Sequence, residues 1–215
     1  MSENRGNRFP VSVPEAVVTY YSRKLEEFGA TARGVDWNSE ASQRVRFAQL
    51  LRLLDEDEGQ IALIDYGCGY GALVNDLDDR GRPYDYQGFD PSSAMIDAAR
   101  QRFGGHDSCR FMVNSADLTV ASYTVASGLF NVRLECDVDP WHDYVLQTLD
   151  AIDALSLRGF AFNMLTSYSD HDKQRADLYY ADPVFFFDYC KRRFSPRVAL
   201  LHDYPLYEFT ILVRK

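Results

Sequence analysis

The chain has 215 residues, of which 46% are hydrophobic, and this is enough for one α/β domain or one domain with a small attachment. Its formal net charge of −9 and the lack of a basic tract argue against tight binding to a nucleic-acid backbone. The four cysteines are scattered without a C-x-x-C pair, and no apolar run approaches the roughly 18 residues of a membrane span. We therefore expect a cytoplasmic protein without a disulfide framework, a zinc site or a membrane anchor.

The chain begins with a polar leader and two predicted helices. Residues 1–11 are polar and mixed in charge, as in a flexible leader. Ser12–Glu15 match a capping box with proline inside the first turn, and apolar residues then keep helical spacing until Gly29. After a loop, Asn38 or Ser39 is expected to cap a second helix that has its own apolar stripe.

The stretch 61–74 carries the most information about function. A run of four apolar residues ends at Asp65, and the alternating glycines Gly67, Gly69 and Gly71 lead into an apolar helical pattern. This order predicts a buried parallel strand, a tight turn and a helix. Alternating glycines let a ligand approach the backbone, and the N-terminal amides of the helix point toward the same place. The pattern therefore predicts a cofactor over the end of this strand.

A second acidic residue follows the next predicted strand. The strand, residues 84–89, ends at Asp90, and Pro91 opens the helix that follows. Asp90 lies 23 positions after Gly67, close to the spacing of about 20 residues expected for an acid that accepts from ribose hydroxyls. The alternative is that Asp90 caps the helix, and the two roles can coexist.

These two units resemble the class I S-adenosylmethionine-dependent methyltransferases, of a small stand-alone bacterial type. Asp-x-Gly-x-Gly-x-Gly from Asp65 resembles motif I, and Gly-Phe-Asp-Pro-Ser at 88–92 with Met95 behind it resembles motif II. The resemblance implies a three-layer α/β/α Rossmann-like fold whose seven-stranded, mostly parallel sheet has an antiparallel last strand. It also implies two parts, a leader with a helical lid at 1–59 and an S-adenosylmethionine-binding methyltransferase domain at 60–215.

Two other functional classes remain open at this point. Gly67, Gly69 and Ala72 also match the relaxed dinucleotide fingerprint, which would suit an NAD-dependent oxidoreductase. Asp65 argues against that class, since it would repel a pyrophosphate and suits a ligand with a cation. The other class is a catalytically inactive methyltransferase-like partner subunit, against which the intact Asp65, glycines and Asp90 argue.

The resemblance places a lid before the first strand. Tyr21 and Trp37 supply aromatic faces for a sulfonium cation, and Arg46 or Arg44 could pair with the methionine carboxylate. The alternative is that these aromatics are packing residues and that the arginines lie on a helix surface.

A third predicted strand, 110–113, leads to the expected adenine contacts. Ser115 falls where the family usually has its aspartate, and Asp117 is the better acceptor, so either could meet the adenine amine. Ala116 offers a backbone amide, and Met95 offers an apolar floor. The complete set of residues expected to contact the cofactor is Tyr21, Trp37, Arg46, Asp65, Gly67, Cys68, Gly69, Asp90, Pro91, Met95, Ser115, Ala116, Asp117 and Ser127.

The remaining strands complete the predicted sheet. A fourth strand, 123–127, lacks the Asn/Asp-Pro-Pro-aromatic motif that follows it in amino-directed nucleic-acid methyltransferases, so that class is disfavoured. A helix ending near Gly159 and a fifth strand, 160–165, come next. Strands at 198–202 and 207–213 are joined by a turn so short that they must form an antiparallel hairpin.

The segment 166–182 is the predicted substrate loop, because it is long, polar and rich in tyrosine and should overhang the carboxyl ends of strands four and five. His171 in this loop and His142 at the start of a helix are the candidate catalytic bases, although each could be an ordinary surface histidine. The four histidines show no metal-ligand spacing, so no metal is expected.

The expected reaction is in-line transfer of a methyl group to an oxygen or nitrogen of a small molecule, such as a sugar or a natural-product intermediate. Positioning supplies most of the rate gain, and a base is needed only if the acceptor must lose a proton during attack. The expected partners are therefore a small-molecule substrate and neither nucleic acid nor membrane, with the chain as a monomer or homodimer.

Overall fold

The structure is a computed structural model that describes residues 13–215, so the predicted leader and Ser12 lie outside the described residues. The helices are α1 (Glu15–Phe28), α2 (Glu40–Leu51), α3 (Leu73–Asp79), α4 (Ser93–Phe103), α5 (Val138–Leu155) and α6 (Pro183–Arg193). The strands are β1 (Ile61–Tyr66), β2 (Tyr84–Phe89), β3 (Cys109–Met112), β4 (Ala121–Ala126), β5 (Ser156–Leu165), β6 (Arg197–Leu201) and β7 (Glu208–Arg214).

Within residues 13–215 the strands form one seven-stranded sheet in the order β3-β2-β1-β4-β5-β7-β6. The strand β7 is antiparallel to both of its neighbours, and the other pairs are parallel. The predicted fold class is confirmed. The strand order reverses between β1 and β4, and such a switch point opens a crevice at the carboxyl ends of the strands.

The core lies on both faces of the sheet. Leu63 and Ile64 are neighbours in β1 and both are fully buried, one in the layer under α2 to α4 and the other in the layer under α5 and α6. Burial on both faces explains why the parallel strands are continuous apolar runs. The central strands are therefore rigid, and they hold the loops at their carboxyl ends in place.

Two local predictions near helix ends are wrong. Pro14 is the residue before α1 rather than part of its first turn. The helix α5 ends at Leu155 and β5 begins at the next residue, so Gly159 lies inside the strand. A Cβ at Gly159 would overlap the carbonyl oxygen of Val213 on β7. This glycine therefore permits the close approach of a neighbouring strand and does not end a helix.

Among the helices of residues 13–215, none has both the length and the apolar character that a membrane span requires.

Candidate functional site

A cavity of about 80 Å³ lies at the carboxyl ends of β1 and β4, at the switch point of the sheet. It brings together most of the residues predicted to bind a cofactor, although they come from five separate parts of the chain. The predicted residues that line it are Tyr21, Trp37, Asp65, Gly67, Cys68, Gly69, Asp90, Pro91, Met95 and Ser127.

The glycine turn after β1 is bonded to the end of β2. The amides of Gly67 and Cys68 both donate to the carbonyl of Phe89, at 2.8 and 2.9 Å. The amide of Gly69 donates to Asp90 Oδ2 at 3.0 Å, and Gly69 has a φ of 53°. The positive φ explains the need for glycine, and the hydrogen bonds hold the two acidic strand ends side by side.

Asp90 makes backbone contacts and still faces the cavity. Its Oδ1 accepts from the amide of Ser92 at 2.9 Å, but Ser92 rather than Asp90 caps α4, through the amide of Met95. A carboxylate has about four acceptor positions, so two remain for a ligand. Burial raises the pKa of Asp90 to about 6, and the amides of Ser92 and Gly69 oppose this rise.

Asp65 is the more deeply buried acid, with 3% of its surface exposed. Tyr86 donates its hydroxyl to Asp65 Oδ2 at 2.9 Å, and among the described residues no cationic side chain lies within ion-pair distance. Burial raises the pKa of Asp65 to about 7, opposed by the Tyr86 bond and increased further by the charge of Asp90. A buried carboxylate of this kind is completed by a ligand that brings a positive charge.

Residues 29–39, between α1 and α2, cover the cavity, and we call them the lid segment. Val35 and Trp37 line the cavity, with Val35 against Gly69 and the Trp37 ring against Gly128. Asp36 has a φ of 61° and is held by the hydroxyl of Tyr20 at 2.7 Å. The side chain of Lys24 also lies 2.9 Å from Asp36. These contacts close the lid segment onto the glycine turn.

Arg46 does not line this cavity, and its predicted role as a partner for a ligand carboxylate stays a prediction. Its Nε lies 2.9 Å from both carboxylate oxygens of Glu208, and its guanidinium carbon lies 3.9 Å from the centre of the Trp37 ring. Both charged side chains are buried, so the guanidinium is already paired. Arg46 supports the lid segment from behind.

Of the predicted adenine contacts, Met95 lines the cavity and the three residues after β3 lie outside its lining. Ser115, Ala116 and Asp117 form a short 3₁₀ turn after β3, in which Asn114 caps the amide of Ala116 at 3.0 Å. Ala116 and Asp117 are exposed. Contact between these residues and a ligand remains a prediction.

The two histidines predicted as bases lie away from the described cavities. His142 Nδ1 is 2.7 Å from the hydroxyl of Tyr179, and its ring packs against Phe185 and Phe186. His171 is exposed in a 3₁₀ turn of the loop 166–182. His142 therefore makes a packing contact and His171 has a surface position, and a catalytic role for either stays a prediction.

A second cavity, of about 480 Å³, adjoins the first and shares Tyr21, Val35 and Trp37 with it. Its far wall comes from the loop 166–182 and from the β6–β7 turn. The predicted substrate loop therefore lies beside the lid segment, at the edge of the sheet where it was expected.

Gln43 and Asn131 line these cavities and were missed in the sequence. Gln43 lies on α2, and its Oε1 accepts from the hydroxyl of Tyr70 at 3.1 Å. It lies four residues before the buried Phe47, so the helical period places both on one face. Asn131 follows β4 in an irregular segment, and no periodic signal points to it.

Comparisons with known proteins agree with this geometry. Residues 63–138 match the family model described as "Methyltransferase domain". A protein of Mycobacterium tuberculosis strain H37Rv, Rv1506c, is named as a methyltransferase and is 56% identical over 151 residues. The match covers 70% of this chain and 91% of that protein.

Two solved structures with a similar fold contain S-adenosylmethionine or S-adenosylhomocysteine. Magnesium protoporphyrin IX methyltransferase from Synechocystis PCC 6803, with bound S-adenosylmethionine, has a TM-score of 0.65 at 14% identity, covering 96% of this chain and 100% of that one. The N-methyltransferase NodS from Bradyrhizobium japonicum WM9, in complex with S-adenosylhomocysteine, has a TM-score of 0.65 at 15% identity, covering 92% and 97%. At these identities the likeness establishes the fold.

Proposed function

This chain belongs to the class I S-adenosylmethionine-dependent methyltransferases, and on that premise we propose that it methylates a small-molecule acceptor. The observation that carries the proposal is that the two acids, Asp65 and Asp90, line one cavity at the switch point of the sheet. The oxidoreductase alternative has no comparable support, since Asp65 would face a pyrophosphate.

The cavity suits the donor chemically. Asp65 is a buried carboxylate without a cation among the described residues, and the donor's amino-acid end supplies an ammonium group. Asp90 has acceptor positions left for ribose hydroxyls after its two backbone bonds. Ser127 Oγ is buried at the cavity wall without a hydrogen-bond partner in residues 13–215, so it too is available to the ligand.

Entry of the donor requires the lid segment to move. The cavity holds about 80 Å³, whereas sites for ligands of this size typically enclose about 300 Å³ or more. The covering side chains are Val35 and Trp37, and the segment that carries them contains only a short 3₁₀ helix, Ala32–Val35. We infer that residues 29–39 open for exchange of the cofactor and then close to exclude water.

When bound, S-adenosylmethionine supplies an already activated methyl group on a sulfonium centre. The chain's own residues then act by holding and orienting the reactants. Asp65 and Asp90 fix the two ends of the donor. Trp37 and Tyr21 line both cavities, so their rings border the place where the donor and an acceptor in the larger cavity would meet, and they offer π-faces to a cation.

The acceptor is proposed to bind in the second cavity, under the loop 166–182. In the described residues no histidine lines this cavity, and its acids Asp36 and Glu208 are each paired with a cation. An acceptor that needs no proton removed during attack suits this lining best. The small-molecule class is supported by the names of the two structural neighbours, one acting on magnesium protoporphyrin IX and the other an N-methyltransferase.

The test is a thermal-shift and titration comparison of S-adenosylmethionine, S-adenosylhomocysteine and NAD. Ligand binding to the folded state raises apparent stability by mass action, so the first two are expected to raise the melting temperature. Asp90→Ala should reduce this shift, while Asp85→Ala, an exposed acid earlier on β2, should leave it unchanged. A shift with NAD alone would refute the proposal. Cofactor binding without turnover on any small acceptor would favour the partner-subunit alternative.

A further inference from the structure

The larger cavity contains a buried hydrogen-bond donor that the fold does not use. Asn131 is 4% exposed and lines this cavity, and its Oδ1 accepts from the amide of Leu165 at 3.1 Å. Its Nδ2 has no hydrogen-bond partner among residues 13–215. Leaving such a group unpaired is costly, and native proteins contain few of them. The amide is therefore available for a ligand that brings an acceptor oxygen.

The two acids that line the cavity are already neutralised. Glu208 is held by Arg46, with both side chains buried. Asp36 lies 2.9 Å from Lys24 and accepts from the hydroxyl of Tyr20. A cationic ligand would therefore find no free carboxylate in this lining.

Two cations remain at the rim, Lys173 and Arg175 from the loop 166–182. Lys173 lies 3.3 Å from Asp172, and Arg175 lies 2.5 Å from Asp177 and 3.7 Å from Asp36. The pair of Lys173 with Asp172 is solvent-exposed and contributes little, so Lys173 can engage a ligand. Arg175 is held by Asp177 through two hydrogen bonds, and its remaining N–H groups can engage a ligand. Their position is notable because the chain as a whole has a net charge of −9.

The body of the cavity is walled by rings and aliphatic groups. The aromatic lining residues are Tyr21, Trp37, Tyr180 and Tyr207. A ligand with a flat or apolar body therefore fits against this lining.

We propose that the acceptor of this enzyme carries an oxyanion group, a carboxylate or a phosphate ester, which Asn131 Nδ2 and the rim cations Lys173 and Arg175 recognise. The inference rests on the proposed function, because it takes the larger cavity as the acceptor site. It adds the chemical class of the acceptor and names Asn131 as a residue that determines specificity. The oxyanion accepts a hydrogen bond from the buried amide and further hydrogen bonds from the cationic side chains at the rim.

The test uses three ring compounds of similar size: benzoate, phenyl phosphate and the neutral isostere benzamide. Each is titrated into ¹⁵N-labelled protein saturated with S-adenosylhomocysteine, at fixed pH and ionic strength. The side-chain amide signals of Asn131, assigned by their loss in Asn131→Asp, report binding. At least one anion is expected to shift them with about tenfold tighter affinity than benzamide, and the preferred anion identifies the source of the oxyanion.

The variants separate recognition from folding. Asn131→Asp keeps the oxygen that accepts from Leu165 but replaces the donor with an acceptor, and it should weaken anion binding about tenfold. If that variant is unstable, the exposed pair Lys173→Gln and Arg175→Gln carries the same test. Arg192→Gln removes one charge from the surface of α6, as each rim substitution does singly, and should change nothing.

Equal affinity for benzamide and both anions, or no movement of the Asn131 signals with any probe, would overturn this inference. Insensitivity of anion binding to loss of both rim cations would also overturn it. Saturation with S-adenosylhomocysteine is measured first in the same samples. If S-adenosylhomocysteine does not bind, the proposed function is refuted. If S-adenosylhomocysteine binds and the anions do not, only the oxyanion inference is refuted.

Discussion

The affinity for the cofactor should depend on pH through Asp65. The ligand's ammonium pairs with the ionised carboxylate, and burial places the pKa of Asp65 at about 7 in the free protein. The ionised fraction is then about 0.03 at pH 5.5 and about 0.5 at pH 7. The ammonium stays charged over this range, so the affinity for S-adenosylhomocysteine should rise about fifteenfold from pH 5.5 to pH 7.

The assay is isothermal titration of S-adenosylhomocysteine at several pH values and constant ionic strength. Asp65→Asn should bind more weakly than wild type at pH 7 and should lose most of the dependence on pH. Asp97→Asn, which removes an exposed acid from α4, serves as the matched control. 5′-Methylthioadenosine lacks the amino-acid end, so its titration isolates the contribution of Asp90, whose pKa is about 6.

Two results would refute the assignment of Asp65 to the ammonium. One is equal affinity for S-adenosylhomocysteine at pH 5.5 and pH 7. The other is the same pH slope in Asp65→Asn as in wild type, since the titrating group would then lie elsewhere.

Three further predictions concern stability. The pKa of Asp65 is raised on folding from 3.8 to about 7, so its contribution to stability is complete below pH 3.8 and is lost as the pH rises toward 7. In urea unfolding, Asp65→Asn should therefore gain stability relative to wild type as the pH rises from about 4 to about 7, and a constant difference would contradict this. Glu208→Gln should lower the free energy of unfolding by about 3 kcal/mol, because it leaves Arg46 buried without its charge partner. If Glu208→Gln instead keeps its stability and loses affinity for the cofactor, Arg46 has a direct role in binding. Gly128→Ala should cost about 1–3 kcal/mol, because Gly128 has a φ of 66° and its Cβ would overlap the Trp37 ring, and Trp37→Leu should relieve part of the loss in thermal unfolding. No relief in the double variant would show that Trp37 does not press on Gly128.

Two local segments of the sequence indicate much of the candidate site. The bond from the Gly69 amide to Asp90 joins the two segments singled out in the sequence, and both lie at strand ends. Parallel strands that are neighbours must bring their carboxyl ends together, so two acids at those ends share one cavity. This is why the cofactor corner was predictable.

The sequence predictions that differ from the structure concern residues whose contacts lie far along the chain. Arg46 reads as a free helix cation until Glu208, 162 positions away, is placed beside it. Gly159 reads as a helix stop because the approach of β7 is invisible in a single stretch. Asp57 belongs to the acidic run 55–58, which taken locally favours exposure to solvent, but it is buried against the hydroxyl of Tyr123. In each case a tertiary contact outweighs the local preference.

The sequence by itself determined the strand–glycine turn–helix unit, the position of the second acid and the antiparallel end of the sheet, because hydrophobic period and glycine placement act over a few residues. Only the tertiary structure decided which side chains line the cavities and which charged side chains are paired with each other. The unsatisfied amide of Asn131 and the closure of Trp37 over Gly128 depend on groups brought together from distant parts of the chain. Such contacts follow from packing in three dimensions, which no local pattern of residue types specifies.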